Sequence, residues 1–222
     1  MDSPPRDPFS TFSVGGAIAF GWYGFIRNFG PMLAISAVIL LVNVLLGQVI
    51  PQDGALNTLI AFNVIGTVIS LLLLFALMRA ALMVTRGEKP TFARITDPDG
   101  FGSYLIASIV FLVAVVLGMF LLVVPGLIVA TTFFVYGYVI ADDRPANGRI
   151  GAIDALRTAA DLSRGHRWPL FGLMMLLGLL NLVGVSCGFG ILITAPVTSL
   201  ASAFAYRTLN GESVVSPRPD GR

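Results

Sequence analysis

Residues 31–50 read PMLAISAVILLVNVLLGQVI and residues 55–77 read ALNTLIAFNVIGTVISLLLLFAL, with only Pro51-Gln52-Asp53-Gly54 between them. Neither run holds an Asp, Glu, Lys, Arg or His. Each is about as long as the ~20 apolar residues that carry a helix through ~30 Å of hydrocarbon. Neither has the polar stripe that a helix on a soluble domain needs. Pro31 stands at the start of its run, where a helix tolerates proline, and Pro51-Gln52-Asp53-Gly54 has turn chemistry. The two runs therefore predict a membrane-spanning helical hairpin.

Working outward, Tyr104–Val123 and Gly126–Ala141 form a second apolar pair around Pro125-Gly126. Residues 168–185 and 189–206 form a third pair around Ser186, Cys187 and Gly188. The expected fold is all-α: a polytopic membrane protein with six transmembrane helices as three hairpins (31–50, 55–77, 104–123, 126–141, 168–185, 189–206). One membrane domain, 14–208, lies between tails 1–13 and 209–222, both expected to be disordered. Composition agrees, since 56% of the 222 residues are hydrophobic, only 12% are charged and the mean hydropathy is +0.87. Soluble chains carry about a quarter charged residues.

Loop charge sets the expected orientation. On this six-span reading all fourteen Lys and Arg fall on one side. Arg6 and Arg27 precede the first span, 79–102 holds four basic residues, 142–167 holds five, and Arg207, Arg218 and Arg222 follow the last span. The opposite turns hold a single charge, Asp53. The positive-inside rule then puts both ends in the cytoplasm of a bacterial inner (plasma) membrane protein. Residues 1–13 lack the basic start and apolar stretch of a cleavable signal, so none is expected. A pI near 9 would suit nucleic acid, but basic residues spread over loops that flank apolar spans meet anionic lipid headgroups instead. The expected partners are membrane lipids and another integral membrane protein, not nucleic acid.

Two basic-side segments have helical amphipathicity. Residues 14–29 place Val14, Ile18, Trp22, Phe25 and Phe29 on one face, with Arg27 at the end, as in an interfacial helix whose apolar side rests on lipid or on the bundle. Residues 150–163 place Ile150, Ile153, Leu156, Ala160 and Leu162 against Asp154, Arg157 and Asp161. Those charges read as a solvated face, with pairs three and four apart adding a few tenths of a kcal/mol each. A weaker third case, 91–102, is interrupted by Asp97-Pro98-Asp99-Gly100. Both clear cases lead through a basic residue, an aromatic and a proline into a span: Arg27, Phe29, Pro31, and Arg167, Trp168, Pro169. Duplication and convergence on one interface solution both produce such a pair. Trp22, Arg27, Arg164, His166, Arg167 and Trp168 are thus candidates for contact with lipid headgroups or the interface.

The stretch VGGAIAFGWYGFIRN (14–28) resembles the start of the YciC-like bacterial integral membrane proteins, a family related to the membrane domain ahead of some bacterial glycerophosphodiester phosphodiesterases. Similar too are LLVVPG (121–126), Asp142-Asp143, the helix from Ala155-Leu156-Arg157 to Arg167-Trp168, and Ala195-Pro196 with Tyr206 near the exit of the last span. The resemblance covers most of the chain through degenerate, mostly apolar motifs. It implies a six-helix bacterial inner-membrane protein and carries no functional residue over. The sequence to Arg222 holds no phosphodiesterase domain, so no catalytic inheritance is expected.

A direct search for chemistry agrees. One His and one Cys cannot build a four-ligand structural zinc site. His166 beside Arg164 and Arg167 reads as a headgroup-facing or solvated imidazole. Cys187 reads as small packing, Asp97/Asp99 as a turn, and Asp142/Asp143 as the end of a span. No nucleophile elbow or P-loop is present, and no catalytic residue, cofactor or metal is assigned. Arg79, the one charge near a span, is expected to snorkel to the interface. The absence of other intramembrane charge argues against ion-coupled transport.

Span polar residues, among them Asn43, Asn63, Tyr136, Asn181 and Ser199, suit interhelical hydrogen bonds. Ser199/Ala203 and Ala201/Ala205 have the small-xxx-small spacing of close helix contacts. Asn43, Asn63, Asn181, Ser199, Ala201, Ala203 and Ala205 are therefore the packing or partner candidates. The expected function is a non-catalytic accessory or scaffold subunit of a membrane complex, in a setting of envelope lipid handling or transport. The alternative is a small channel or lipid-translocating carrier using a cavity between hairpins. Convergence of Asn43, Asn63, Tyr136 and Asn181 on one lumen would favour the carrier, and dispersal into pairwise contacts the subunit.

Overall fold

The computed structural model describes residues 12–49, 56–142 and 150–217. The tail 1–11, the turn with Asp53, Asp143 with Arg144 and Arg149, and Arg218 and Arg222 lie outside the described residues. Among the described residues ten helices follow in order: α1 Val14–Arg27, α2 Phe29–Val49, α3 Leu56–Thr85, α4 Phe92–Ile95, α5 Phe101–Leu121, α6 Val123–Thr132, α7 Tyr136–Ala141, α8 Ala152–Ser163, α9 Arg167–Ser186 and α10 Ile191–Leu209. Among the described residues there is no strand.

Five helical stretches are long and apolar enough to cross a membrane: Phe29–Gln48, Leu56–Thr85, Phe101–Leu121, Val123–Ala141 and Arg167–Ser186. This is an all-helical, multi-pass membrane protein by length and composition. The expected segment 189–206 falls in α10, which is not one of the five. Thr194, Pro196, Thr198, Ser199 and Ser202 dilute its hydropathy, and the packing explains why they can. Apart from Ala195, every residue from Thr194 to Arg207 is buried, and α10 touches α1, α2, α3, α7, α8 and α9. A helix enclosed by protein has no need of a lipid-soluble surface.

Small side chains set the approach to α10. A Cβ on Gly21 of α1 would lie 2.5 Å from the Val197 carbonyl oxygen and 3.2 Å from the Ala201 Cβ. On the same face Phe20 stacks on Phe204, with ring centroids 5.3 Å apart, and Gly24 lies against Leu200 and Val84. Ser199, Ala201, Ala203 and Ala205 are all buried. In hydrocarbon there is no hydrophobic force between helices, so close packing over small residues takes its place.

The same packing decides which residues of α1 and α8 face protein. In α1 the buried side is Gly16, Ala17, Phe20, Gly21, Gly24 and Phe25, whereas Trp22 and Phe29 of the expected stripe are about half exposed. In α8 the buried side is Ala155, Leu156, Ala159 and Ser163, while Ile153 is 61% exposed. Small residues pack together with Phe20, Phe25 and Leu156, while Val14, Ile18, Ile150 and Leu162 lie partly buried against the core. Asp154 and Arg157 pair at 3.5 Å on the exposed face, and Asp161 pairs with Arg164 at 3.4 Å.

The turn expected at Pro125-Gly126 is displaced to Leu122, which alone is extended between α5 and α6. Pro125 instead sits in the first turn of α6, where its missing N–H costs nothing. Gly126 is helical and abuts Gly118, whose Cβ would lie 2.9 Å from the Gly126 Cα. The two glycines let the chain reverse over one residue. The stretch Val123–Ala141 is also broken, at Phe133–Val135, into α6 and α7.

Pro31 is the third residue of α2 and Pro169 the third of α9, so both helices open in the same way. Residues beyond 208, expected to be a disordered tail, are described to Pro217 and fold back on the bundle. The Val215 N–H donates to the Thr85 carbonyl at 3.1 Å, and the Arg27 Nη1 donates to the Ser216 carbonyl at 3.4 Å. Ser13, expected within the first tail, caps α1 by accepting from the Gly16 N–H at 3.1 Å.

Gly21→Ala should destabilise the protein by about 1–3 kcal/mol, the usual cost of overpacking. Gly30→Ala, in open space, should be neutral or slightly stabilising. Thermal unfolding of the two variants in one mild detergent compares the same methyl group in the two settings.

Candidate functional site

The polar residues of the apolar helices settle into separate pairs. Ser70 of α3 donates to the Asn43 Oδ1 of α2 at 2.8 Å. Tyr136 of α7 shares a hydrogen bond with Ser108 of α5 at 2.9 Å. The Asn181 Nδ2 of α9 donates to the Thr198 Oγ1 of α10 at 3.4 Å. Tyr138 of α7 donates to the Ser199 carbonyl of α10 at 3.0 Å. Asn43, Asn63, Tyr136 and Asn181 thus divide among three helix pairs and share no common lumen.

Asn43 and Asn63 do line one feature together, a crevice of about 600 Å³ between α2 and α3. Its walls include Val42, Leu46, Phe62, Gly66, Thr67 and Ser70. Only 11% and 6% of the most apolar 18-residue stretches of α2 and α3 are buried within the protein. Asn43 also donates to the Ile39 carbonyl, and Asn63 to the Leu59 carbonyl, each at 2.8 Å. Asn43, Asn63 and Thr67 bond carbonyls of their own helices, Ser70 reaches across to Asn43, and all four line the crevice.

The headgroup candidates gather at the start of α9 only in part. Arg167 and the 84% exposed Trp168 stand over a second crevice, of about 510 Å³, between α6 and α9. The His166 ring meets Phe12 edge-on with centroids 6.1 Å apart. Arg164 is drawn away by Asp161. Trp22 and Arg27 belong to the other such junction, between α1 and α2, where Arg27 reaches the C-terminal segment.

A polar cluster not anticipated from the sequence closes the end of the bundle. Asp142, just after α7, pairs with Arg86 of the segment after α3. It lies 3.8 Å from Arg207 of α10 and accepts from the Tyr206 hydroxyl at 3.2 Å. Arg207 also pairs with Glu212. The side chains of Arg86, Asp142 and Arg207 are 6–7% exposed and that of Glu212 is 36% exposed, so the knot is buried around Asp142 and opens at Glu212. Arg79, expected to snorkel, is instead buried in α3. It bonds the carbonyls of Arg94 and Asp99, pairs with Asp97 at 3.5 Å and lies 5.0 Å from the Phe75 ring centroid. The segment from α4 to α5 is its cap.

Among the described residues no group of three His, Cys, Asp or Glu could hold a metal ion. The sequence contains a signal for the knot in Arg86, Asp142 and Arg207, each at the edge of an apolar run. Their meeting depends on α10 lying between α3 and α7, which no local spacing reveals. In comparisons with known proteins, no family model, no curated protein and no solved structure matches this chain. Its class therefore rests on its own helices: a multi-pass, all-helical membrane protein.

Asp142→Ala should cost about 3–5 kcal/mol, because it removes the buried carboxylate that Arg86, Arg207 and the Tyr206 hydroxyl share. The double variant Arg86→Met/Asp142→Leu should lose less than Asp142→Ala alone. Unfolding curves of the variants in one detergent decide the order.

Proposed function

We propose that this chain is a non-catalytic accessory subunit of a bacterial inner-membrane complex, with envelope lipid handling as its setting. It crosses the membrane six times as three hairpins, with α10 as the sixth span and both ends in the cytoplasm. At 1.5 Å per residue the 19 residues of α10 reach about 28 Å, close to the hydrocarbon thickness. Its short polar side chains are acceptable at that depth because neighbouring helices cover them.

The observation that carries the subunit reading is the α2–α3 crevice. Exposed amides and hydroxyls on the least buried helices are costly against lipid tails. A partner helix can meet them with hydrogen bonds while its small residues fill the space beside Gly66. The carrier alternative needs a continuous polar path, and polar residues divided among three helix pairs supply none.

A photocrosslinker at Asn63 should capture one membrane polypeptide in stoichiometric yield, and Gly66→Leu should abolish that product. A crosslinker at Val113 of α5, also exposed, should give no protein product. Equal diffuse labelling from both positions would overturn the subunit reading. Orientation has its own reporter in Cys187, the single cysteine, which is exposed. A membrane-impermeant maleimide should label it in sealed right-side-out vesicles. In the Cys187→Ser background, Gly151→Cys should react only after lysis.

A further inference from the structure

We infer that the crevice between α6 and α9 is a binding groove for a single anionic phospholipid, with one acyl chain along α6 and the phosphate at Arg167. This site is separate from the α2–α3 crevice and does not depend on the subunit reading.

The groove has the two-part chemistry of such a ligand. Its floor is one face of α6, made by Val124, Leu127, Ile128, Thr131 and Thr132, with Phe171 of α9 as the facing wall. Those α6 positions follow the spacing of a single helical stripe and run for about 12 Å at 1.5 Å per residue. The threonines do not make the floor polar. The Thr131 hydroxyl donates to the Leu127 carbonyl at 2.8 Å, and the Thr132 hydroxyl to the Ile128 carbonyl at 2.7 Å. The volume of about 510 Å³ lies within the range of small-molecule sites.

The head of the groove carries a positive charge. Arg167 lines it, and its guanidinium has no hydrogen bond or ion pair among the described residues. The nearest acidic residue in sequence, Asp161, is engaged by Arg164. Beside Arg167, the Trp168 ring packs edge-on against Phe171, centroids 6.3 Å apart, and remains outward. A tryptophan next to a free cation at the mouth of an apolar slot is the arrangement of the headgroup boundary. Basic pockets between spans on the cytoplasmic side select anionic headgroups.

The head is also held in place. The break between α6 and α7 leaves the Thr132 carbonyl without the usual helical donor, and the Ser163 hydroxyl shares its proton between that carbonyl and the Ala159 carbonyl, each at 2.8 Å. Ser163 ends α8, three residues before the N-cap of α9. This bond fixes the α8–α9 connector, and with it Arg167, to the upper end of the α6 face.

Trp22 and Trp168 are the two tryptophans of the chain, so Trp22→Phe leaves Trp168 as sole reporter at the groove mouth. That variant is reconstituted in phosphatidylcholine vesicles, and its fluorescence is quenched with acyl-brominated phosphatidylglycerol or acyl-brominated phosphatidylcholine of the same chain length. Quenching should favour phosphatidylglycerol, with an apparent affinity about fivefold higher, the value of one cation at a membrane surface. Arg167→Gln should remove that preference and leave general quenching in place. Leu127→Phe in the same Trp22→Phe background should fill the floor of the groove and lower the quenching of Trp168 by both lipids. Inorganic phosphate at millimolar concentration should not compete, because it lacks the acyl chain; competition would assign the site to a free anion and overturn the lipid reading. Equal quenching by the two lipids, or an unchanged preference in Arg167→Gln, would reduce the crevice to ordinary lipid contact. Arg167 is exposed, so its variant decides the matter even where Leu127→Phe fails to fold.

Discussion

Close backbone contact with α10 is the constraint on which the other helices depend. Hydrocarbon gives no reward for hiding leucine from lipid, so helices associate where their backbones can approach. Gly21 against Val197 and Ala201 is one such place, and Gly184 against Thr194, where a Cβ would lie 2.2 Å from Oγ1, is another. Gly118 and Gly126 repeat the device within the α5–α6 reversal, and Gly137 admits Met78 and Tyr104 beside α7. The aromatic stack of Phe20 on Phe204 then fills the space that the glycines leave at the flanks.

The same helix also holds the polar end together. Tyr206 and Arg207 sit one turn beyond the small-residue stripe and reach Asp142, which in turn holds Arg86. Three helices that pack by shape near the middle of α10 are thereby joined by charge at its end. Glu212 balances Arg207, and the segment after it continues to Thr85 and Arg27. The C-terminal residues to Pro217 act as a strap across the ends of α1 and α3.

How much of this was legible in the sequence follows from which signals are local. The runs 31–50 and 55–77 have no charge for about twenty residues each, and such a feature needs no tertiary context. The small-residue pairs of α10 are likewise a local pattern, and Ser199, Ala201, Ala203 and Ala205 are all buried. The apolar stripes of α1 and α8 are local signals, but their division between lipid and bundle is not: Phe25 and Leu156 are buried, whereas Trp22, Phe29 and Ile153 are exposed. Leu122 was not legible as the turn, since Pro125-Gly126 has stronger local turn chemistry and only the Gly118 contact makes Gly126 helical. Arg79 and the Asp142 knot required knowing which distant segments meet. Of the candidate sites, Arg167 and Trp168 were visible as a basic and aromatic pair, whereas the groove beneath them arises only when α6 lies beside α9.

The position of α10 in the chain has a consequence for biosynthesis. At about 5–20 residues per second, Val197 is made roughly 9–35 s after Gly21. For that interval the glycine face of α1 and the buried face of α3 exist without their common partner. Arg86, Asp142 and Arg79 must likewise be accommodated before the last helix arrives. Newly made chains therefore pass through a stage in which membrane helices are inserted but not yet assembled, and insertion factors or lipid must shelter those surfaces until α10 closes the bundle.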